Sequence, residues 1–147
     1  MADATQFCTF YLNKHFFGIE VEKVQEVFRY QEMTPIPLAP PTIKGLINLR
    51  GQIITAIDLR KRLQMPDRPD GELPMNVVIR TPGGAVSLLV DEIGDVLEMS
   101  LDDYEPPPDT IEGIARDLVR GVYKLEGTLL LILDTTKTID FGEPVNA

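Results

Sequence analysis

The side chains of this chain that could perform chemistry do not form a catalytic set. There is one histidine, His15, and one cysteine, Cys8, which is too few for a Cys/His metal cluster. A Ser-His-Asp triad would have to use this histidine, which lies in a predicted turn. The acidic residues at 102–105 precede three prolines and are typical of a solvated turn, while residues 81–84 lack the lysine and helix of a phosphate-binding loop. The sequence therefore predicts no enzyme, and the remaining chemistry is recognition by charged side chains.

The clearest candidate for recognition is an arginine in a predicted hairpin that the chain contains twice. Two apolar runs within residues 43–59 flank Arg50 and Gly51, a pattern typical of a tight β-hairpin whose glycine adopts positive φ. Residues 119–134 repeat this pattern without a gap, at an offset of 76. The identical positions are Gly45/Gly121, Leu49/Leu125, Gly51/Gly127 and Asp58/Asp134.

Differences between the two copies indicate function, whereas identities indicate scaffold. Arg50 is replaced by Glu126, so the hairpin does not need an arginine to fold. A guanidinium beside a turn glycine projects outward and can bind a carboxylate of a partner. Asn48 is replaced by Lys124 and is a weaker candidate. The four repeated glycines are predicted to be structural, meeting backbone requirements.

The elements that position this hairpin are predicted to be short strands. Aromatic and β-branched residues bounded by turn formers favour strands at residues 7–12 and 16–21. Residues 18–29 align with residues 87–98, and Gly94 stands opposite Gln25, which favours a bulged strand at 22–29 over a helix. Asp58 is predicted to cap a short helix. Four prolines predict an ordered surface connection over residues 31–42: Pro35, Pro37, Pro40 and Pro41.

Together these elements predict an all-β fold of two small packed β-barrels with short helical turns. The first barrel is expected at about residues 6–68 and the second at about 75–140, with a proline-rich boundary at 65–71. Packing the two copies side by side would bury an apolar face that neither buries alone. The sequence leaves open whether the first strands stay in their own barrel or cross to the other.

Composition and charge limit the classes of partner that the chain could bind. The 147 residues are 44% hydrophobic and carry a net charge of −9. Residues 1–70 contain nine Lys/Arg against eight Asp/Glu, while residues 71–147 contain five against fifteen. This asymmetry fits either solubility alone or two halves that face different partners, and it argues against nucleic acid, which needs a basic surface. The single cysteine suits a reducing cytoplasm, and no run has the roughly 18–20 apolar residues of a membrane span.

In order and spacing, these segments resemble the CheW family of bacterial chemotaxis coupling proteins. The similarity spans about residues 6–140 and rests on residues 17–19 with Val21, 24–27, 43–51, 57–60, and 89–91 with Val96. It implies two SH3-like five-stranded barrels, no catalysis, no cofactor and no metal. It further implies a cytoplasmic scaffold that links the tips of methyl-accepting chemoreceptors to the regulatory domain of the histidine kinase CheA. The protein would reach the membrane through receptors, without inserting into it or binding nucleic acid.

The resemblance also implies roles for individual residues. It places a functional arginine at Arg50, paired with Glu26, on a surface that binds receptor or kinase, with Val24 and Asn48 as further candidates. The alternative is that Arg50 and Glu26 form only a surface salt bridge worth about 0–1 kcal/mol, and that Val24 packs in the core.

A kinase contact is expected at an apolar end of a barrel. Leu97 and Met99 are the candidates, with core burial as the alternative for both. Two other functions stay open at this point. One is an adaptor of a parallel pathway that controls pili or surface behaviour, and the other is a small barrel that binds nucleic acid.

Overall fold

The computed structural model describes residues 4–140, which form two five-stranded sheets and three short helices. Sheet 1 contains β1 (Ala4–Leu12), β2 (His15–Glu20), β8 (Glu92–Ser100), β9 (Val119–Leu125) and β10 (Thr128–Leu133). Sheet 2 contains β3 (Val24–Phe28), β4 (Ile43–Leu49), β5 (Gln52–Asp58), β6 (Met75–Thr81) and β7 (Gly84–Val90). The helices are α1 (Leu59–Arg62), α2 (Ile114–Leu118) and α3 (Thr135–Ile139), and 3₁₀ turns span Val21–Lys23 and Leu101–Asp103. The predicted all-β fold of two five-stranded units is confirmed.

The first two strands cross to the second half of the chain. The strand order is β8-β1-β2-β10-β9 in sheet 1 and β3-β6-β7-β5-β4 in sheet 2. β1 runs antiparallel to β8, and β2 runs parallel to β10 with Phe17 opposite Leu131. The sheets therefore do not follow the predicted division at residues 6–68 and 75–140. The repeat shows which segments are alike, but it does not determine which strands pair.

The exchange is explained by the two apolar faces of β1. Phe7 packs with Tyr123 and Leu130 of sheet 1, whereas Phe10 and Leu12, on the other face, join a cluster that contains side chains of both sheets. This shared cluster includes Ile57, Val77, Ile79 and Leu88 from sheet 2 and Phe17, Ile19, Val122 and Leu133 from sheet 1. An apolar face between the two units is buried, as the sequence predicts, and β1 is covered on both sides only because it lies between them.

The sequence repeat is visible in the local geometry. The hairpins β4–β5 and β9–β10 occupy equivalent positions, and each is followed by a short helix with an aspartate cap. Asp58 accepts a hydrogen bond from the backbone N–H of Lys61 at 3.2 Å, and Asp134 accepts one from Lys137 at 3.0 Å. The predicted cap at Asp58 is therefore confirmed.

The predicted bulge at residues 22–29 is also confirmed. The chain makes a 3₁₀ turn and then forms β3, whose register against β6 shifts at Gln25. The β1–β8 ladder shifts at the equivalent place, near Gly94. A Cβ atom on Gly94 would lie 2.6 Å from Thr9 Oγ1, so glycine is required there for close approach of the two strands.

The return crossing from sheet 2 to sheet 1 is fixed by a largely buried ion network at Asp91. The Asp91 carboxylate accepts hydrogen bonds from Arg60 Nε at 2.9 Å, from Arg68 Nε at 3.0 Å and from the backbone N–H of Asn13 at 2.7 Å. Burial alone would raise the pKa of Asp91, but the hydrogen bonds from Arg60 and Asn13 and the charges of the two arginines outweigh it, so this pKa is lowered. The pKa of Arg60 is raised, chiefly by its hydrogen bond to Asp91.

The two proline-rich connections pass over equivalent glycines. Thr34 pairs with Leu46 through backbone bonds of 2.9 and 2.8 Å, and Glu105 pairs with Val122 through bonds of the same lengths. A Cβ atom on Gly45 would lie 2.6 Å from the carbonyl oxygen of Thr34, and one on Gly121 would overlap the Tyr104 ring. These two glycines let each connection lie directly on its sheet.

We expect Gly45→Ala to lower the free energy of unfolding by about 1–3 kcal/mol, because the added methyl group displaces backbone rather than a flexible side chain. Urea denaturation monitored by circular dichroism measures this change. Gly83→Ala is the matched control, since its Cβ would have only one neighbour, Thr81 Oγ1 at 4.0 Å, and its φ is not positive. Equal stability of the two variants would show that the connection does not need the glycine.

Candidate recognition site

Arg50 and Gly51 are the two central residues of the turn between β4 and β5. Leu49 pairs with Gln52, so the loop has two residues, and both have positive φ, 51° for Arg50 and 88° for Gly51. Two positive φ values in a two-residue hairpin loop are typical of a type I′ turn. A left-handed conformation costs a residue with a side chain about 1–2 kcal/mol. Arg50 is therefore held in a conformation that surrounding contacts must stabilise.

Two side-chain contacts stabilise this turn. Asn48 Oδ1 accepts a hydrogen bond from the backbone N–H of Gly51 at 2.9 Å. Arg50 Nη2 donates a hydrogen bond to Glu26 Oε2 and forms an ion pair with it. Glu26 belongs to β3 and Arg50 follows β4, and these strands are the opposite edges of sheet 2. The ion pair thus joins the two edges, which requires the sheet to curl.

The pair leaves most of the arginine available to a partner. The Arg50 side chain is 71% exposed, whereas that of Glu26 is 25% exposed. A guanidinium has five N–H donors in a fixed planar arrangement, and the bond to Glu26 uses one of them. Glu26 therefore orients the guanidinium while the other donors face solvent.

The second hairpin does not build this arrangement. Gly127 has φ 81°, but Glu126 is not among the positive-φ residues of the part of the chain that the structure describes. Lys124, at the position equivalent to Asn48, cannot accept a hydrogen bond and instead pairs with Glu105 at 3.4 Å. The two hairpins thus share their strand pairing and loop length but differ in the conformation and contacts of their turns.

Comparison with known proteins shows the family. Residues 6–142 match the CheW-like domain. The chain belongs to the CheW-like family. It is similar to a chemotaxis protein CheW of Treponema pallidum, with 32% identity over 94% of this chain and 84% of the relative, and to one of Bacillus subtilis, with 32% identity over 89% and 84%. It also resembles the crystal structure of the scaffolding protein TtCheW from Thermoanaerobacter tengcongensis, with a TM-score of 0.80, 30% identity and coverage of 91% of this chain and 90% of that one.

Membership of the CheW-like family makes the chain a non-enzymatic chemotaxis scaffold. The sequence prediction of this family and function is confirmed. Within residues 4–140, no helix is long and apolar enough to cross a membrane. No group of three or more His, Cys, Asp or Glu side chains in the same range could hold a metal ion.

The structure separates Val24 from the pair that it was expected to flank in this CheW-like chain. In the β3–β6 ladder Val24 lies opposite Ile79 and Glu26 lies opposite Val78. Adjacent residues of β6 face opposite sides of the sheet, so Val24 and Glu26 do so as well. Without the bulge at Gln25 they would share a face. Val24 packs against the cluster shared by the two sheets.

Leu97 and Met99 lie in sheet 1 and are half-buried. Both pack against the cluster of Phe7, Tyr123, Leu130 and Ile132. Their neighbour Val96 is 55% exposed and is the apolar side chain that β8 offers to solvent.

Ile53 is an exposed apolar residue beside this hairpin tip that sequence reasoning missed. It lies opposite Asn48 in the β4–β5 ladder and is 59% exposed. The signal was present in the dipeptide of Ile53 and Ile54, because successive strand residues face opposite sides and one of the two had to face outward. We call the residues Glu26, Arg50 and Ile53 the hairpin-tip surface, and Asn48 holds the turn that carries its arginine. It combines an oriented cation with an exposed apolar side chain, which suits recognition of a partner carrying a carboxylate beside an apolar group.

Proposed function

We propose that this CheW-like scaffold links the cytoplasmic tips of methyl-accepting chemoreceptors to the regulatory domain of the histidine kinase CheA. The observation that carries the proposal is the oriented Arg50, which is 71% exposed at a turn that the second hairpin lacks. A scaffold needs such a tip only for binding, because the repeated hairpin folds without it. In this proposal the hairpin-tip surface, which belongs to sheet 2, contacts the receptor.

The distribution of charge supports two different faces. Residues 4–20 and 92–140, which contain sheet 1, carry five Lys/Arg and thirteen Asp/Glu. Residues 21–91, which contain sheet 2, carry nine Lys/Arg and eight Asp/Glu. The part of the chain that contains sheet 1, which we call the sheet 1 lobe, is therefore strongly acidic, whereas the part that contains sheet 2 is nearly neutral. Such a difference in charge is expected for a protein that holds two unlike partners.

We assign the kinase contact to the sheet 1 lobe. Leu97 and Met99 are candidates through their exposed parts, together with Val96 on the same edge strand. Interfaces of this kind depend on a few apolar anchors rather than on the whole contact area. In this arrangement the protein lies at the cytoplasmic face of the membrane because the receptors recruit it.

The proposal is tested by binding the purified chain to a receptor cytoplasmic fragment and to the CheA regulatory domain, first separately and then together. We expect each to bind alone and all three to elute as one complex in size-exclusion chromatography. Mutually exclusive binding would contradict the coupling role while leaving single-partner binding intact. Failure to bind either partner would overturn the proposal.

A further inference from the structure

We infer that Asn48 is a positioning residue, which sets the affinity of the hairpin-tip surface by holding the turn of Arg50 and not by touching the partner. This inference rests on the proposed function, in which Arg50 contacts a partner. It gives Asn48 a role distinct from that of Arg50, although Asn48 lies only two residues before it, near the end of β4.

The first support is the hydrogen-bond pattern of the turn. Leu49 and Gln52 close the ladder, which leaves the backbone N–H of Gly51 without a strand partner. Asn48 Oδ1 accepts from this N–H at 2.9 Å. A bond of this kind fixes the second central residue of the loop, and the conformation of Arg50, with φ 51°, depends on it.

The second support is the comparison that the chain itself provides. The two hairpins share their glycines and flanking leucine, and both loops have two residues. The hairpin with asparagine has positive φ at both central positions, whereas the hairpin with Lys124 has it at Gly127 but not at Glu126. The first hairpin therefore has both a side-chain acceptor at position 48 and a positive φ at position 50. The second hairpin has neither at the equivalent positions.

The consequence for binding follows from the fraction of molecules in the competent conformation. An apparent dissociation constant equals the intrinsic constant divided by that fraction. Losing one hydrogen bond that holds the turn lowers the equilibrium constant for the competent conformation by roughly two- to ten-fold, and lowers the competent fraction by up to that factor. Asn48→Ala should therefore measurably weaken binding of a chemoreceptor cytoplasmic fragment, by up to this factor, although no contact with the fragment is removed.

A double-mutant cycle with Arg50 separates positioning from contact. We compare affinities for the receptor fragment in the wild type, Asn48→Ala, Arg50→Ala and the double variant, using calorimetry at fragment concentrations high enough to titrate the weakest. We expect Asn48→Ala to weaken binding in the wild-type background. We expect it to have no effect in the Arg50→Ala background, because the turn then carries no guanidinium to position. The same loss in both backgrounds, or no loss in the wild type, would overturn the inference.

Two further variants and one measurement complete the test. Asn48→Asp keeps an acceptor oxygen and should restore most of the affinity, while Asn48→Lys copies the second hairpin and should resemble Asn48→Ala. Hydrogen exchange at the Gly51 amide needs no partner and should accelerate in Asn48→Ala but not in Asn48→Asp. Unchanged exchange in Asn48→Ala would show that the bond does not hold the turn.

The outcomes distinguish this inference from the proposed function. If Arg50→Ala binds the fragment as tightly as the wild type does, the recognition role of Arg50 fails and the inference fails with it. If Arg50→Ala binds weakly but the effect of Asn48→Ala is the same in both backgrounds, the proposed function stands and only the inference fails.

Discussion

Replacing Arg50 with alanine is expected to weaken binding of the receptor fragment by roughly ten- to hundred-fold, while the unfolding free energy changes by less than about 1 kcal/mol. The loss of affinity follows because hydrogen bonds to a charged group contribute about 1.5–3 kcal/mol where a partner excludes water. Stability changes little because the Arg50–Glu26 ion pair is exposed on one side, with 71% of the arginine in solvent, and such pairs are worth about 0–1 kcal/mol. Calorimetric titration and thermal melting measure the two effects on the same preparations.

Glu126→Ala is the matched control for this experiment. It truncates the equivalent residue of the second hairpin. Glu126 is exposed and precedes a glycine, as Arg50 does, but its turn has no side-chain acceptor like that of Asn48. We expect it to change neither binding nor stability measurably. A large drop in melting temperature for Arg50→Ala with unchanged binding would support the purely structural reading of the ion pair.

The largest effect on stability is expected at the Asp91 network. Arg60→Ala should lower the free energy of unfolding by about 3–5 kcal/mol, because it leaves a charged carboxylate without its main partner in a largely buried place. The Arg60 and Asp91 side chains are 7% and 14% exposed. Urea denaturation measures the loss. The control is Asp67→Ala in the neighbouring Lys61–Asp67 pair, where the Asp67 side chain is 75% exposed and a far smaller change is expected. Similar losses for both variants would contradict the buried network.

The pH dependence of stability has a definite sign at this site. The folded pKa of Asp91 is lowered, so its contribution is fully present above the unfolded pKa of about 3.9 and is lost as the pH falls through the folded pKa. The difference in unfolding free energy between the wild type and Asp91→Asn should therefore be constant near neutral pH and narrow below about pH 4. A difference that grows on acidification would contradict the lowered pKa.

Local features were predictable from the sequence because they depend on a few neighbouring residues. The hairpin turn at Gly51, the helix cap at Asp58 and the bulge marked by Gly94 are short-range choices of backbone conformation. Internal repetition made each of them visible twice. The contrast of Arg50 with Glu126 likewise selected the residue that the structure exposes at an oriented tip.

Long-range pairing was not predictable from the same information. β1 and β2 have the same apolar pattern whether they pair within their own repeat or with the other one. Arg60 and Asp91 lie 31 residues apart, and the repeat does not mark them as a pair, because the position equivalent to Arg60 holds the uncharged Thr136. The family resemblance predicts Val24 beside Glu26, but the bulge at Gln25 turns the two side chains to opposite faces of the sheet.

The coupling role is tested most directly by sedimentation of CheA with membranes that contain chemoreceptors, at increasing concentrations of this protein. We predict that the fraction of CheA in the pellet rises with the concentration of the wild type, rises equally with Glu126→Ala, and rises much less with Arg50→Ala. A fraction of sedimented CheA that does not depend on the protein, while the protein itself stays in the supernatant, would contradict the proposal that it couples receptor to kinase.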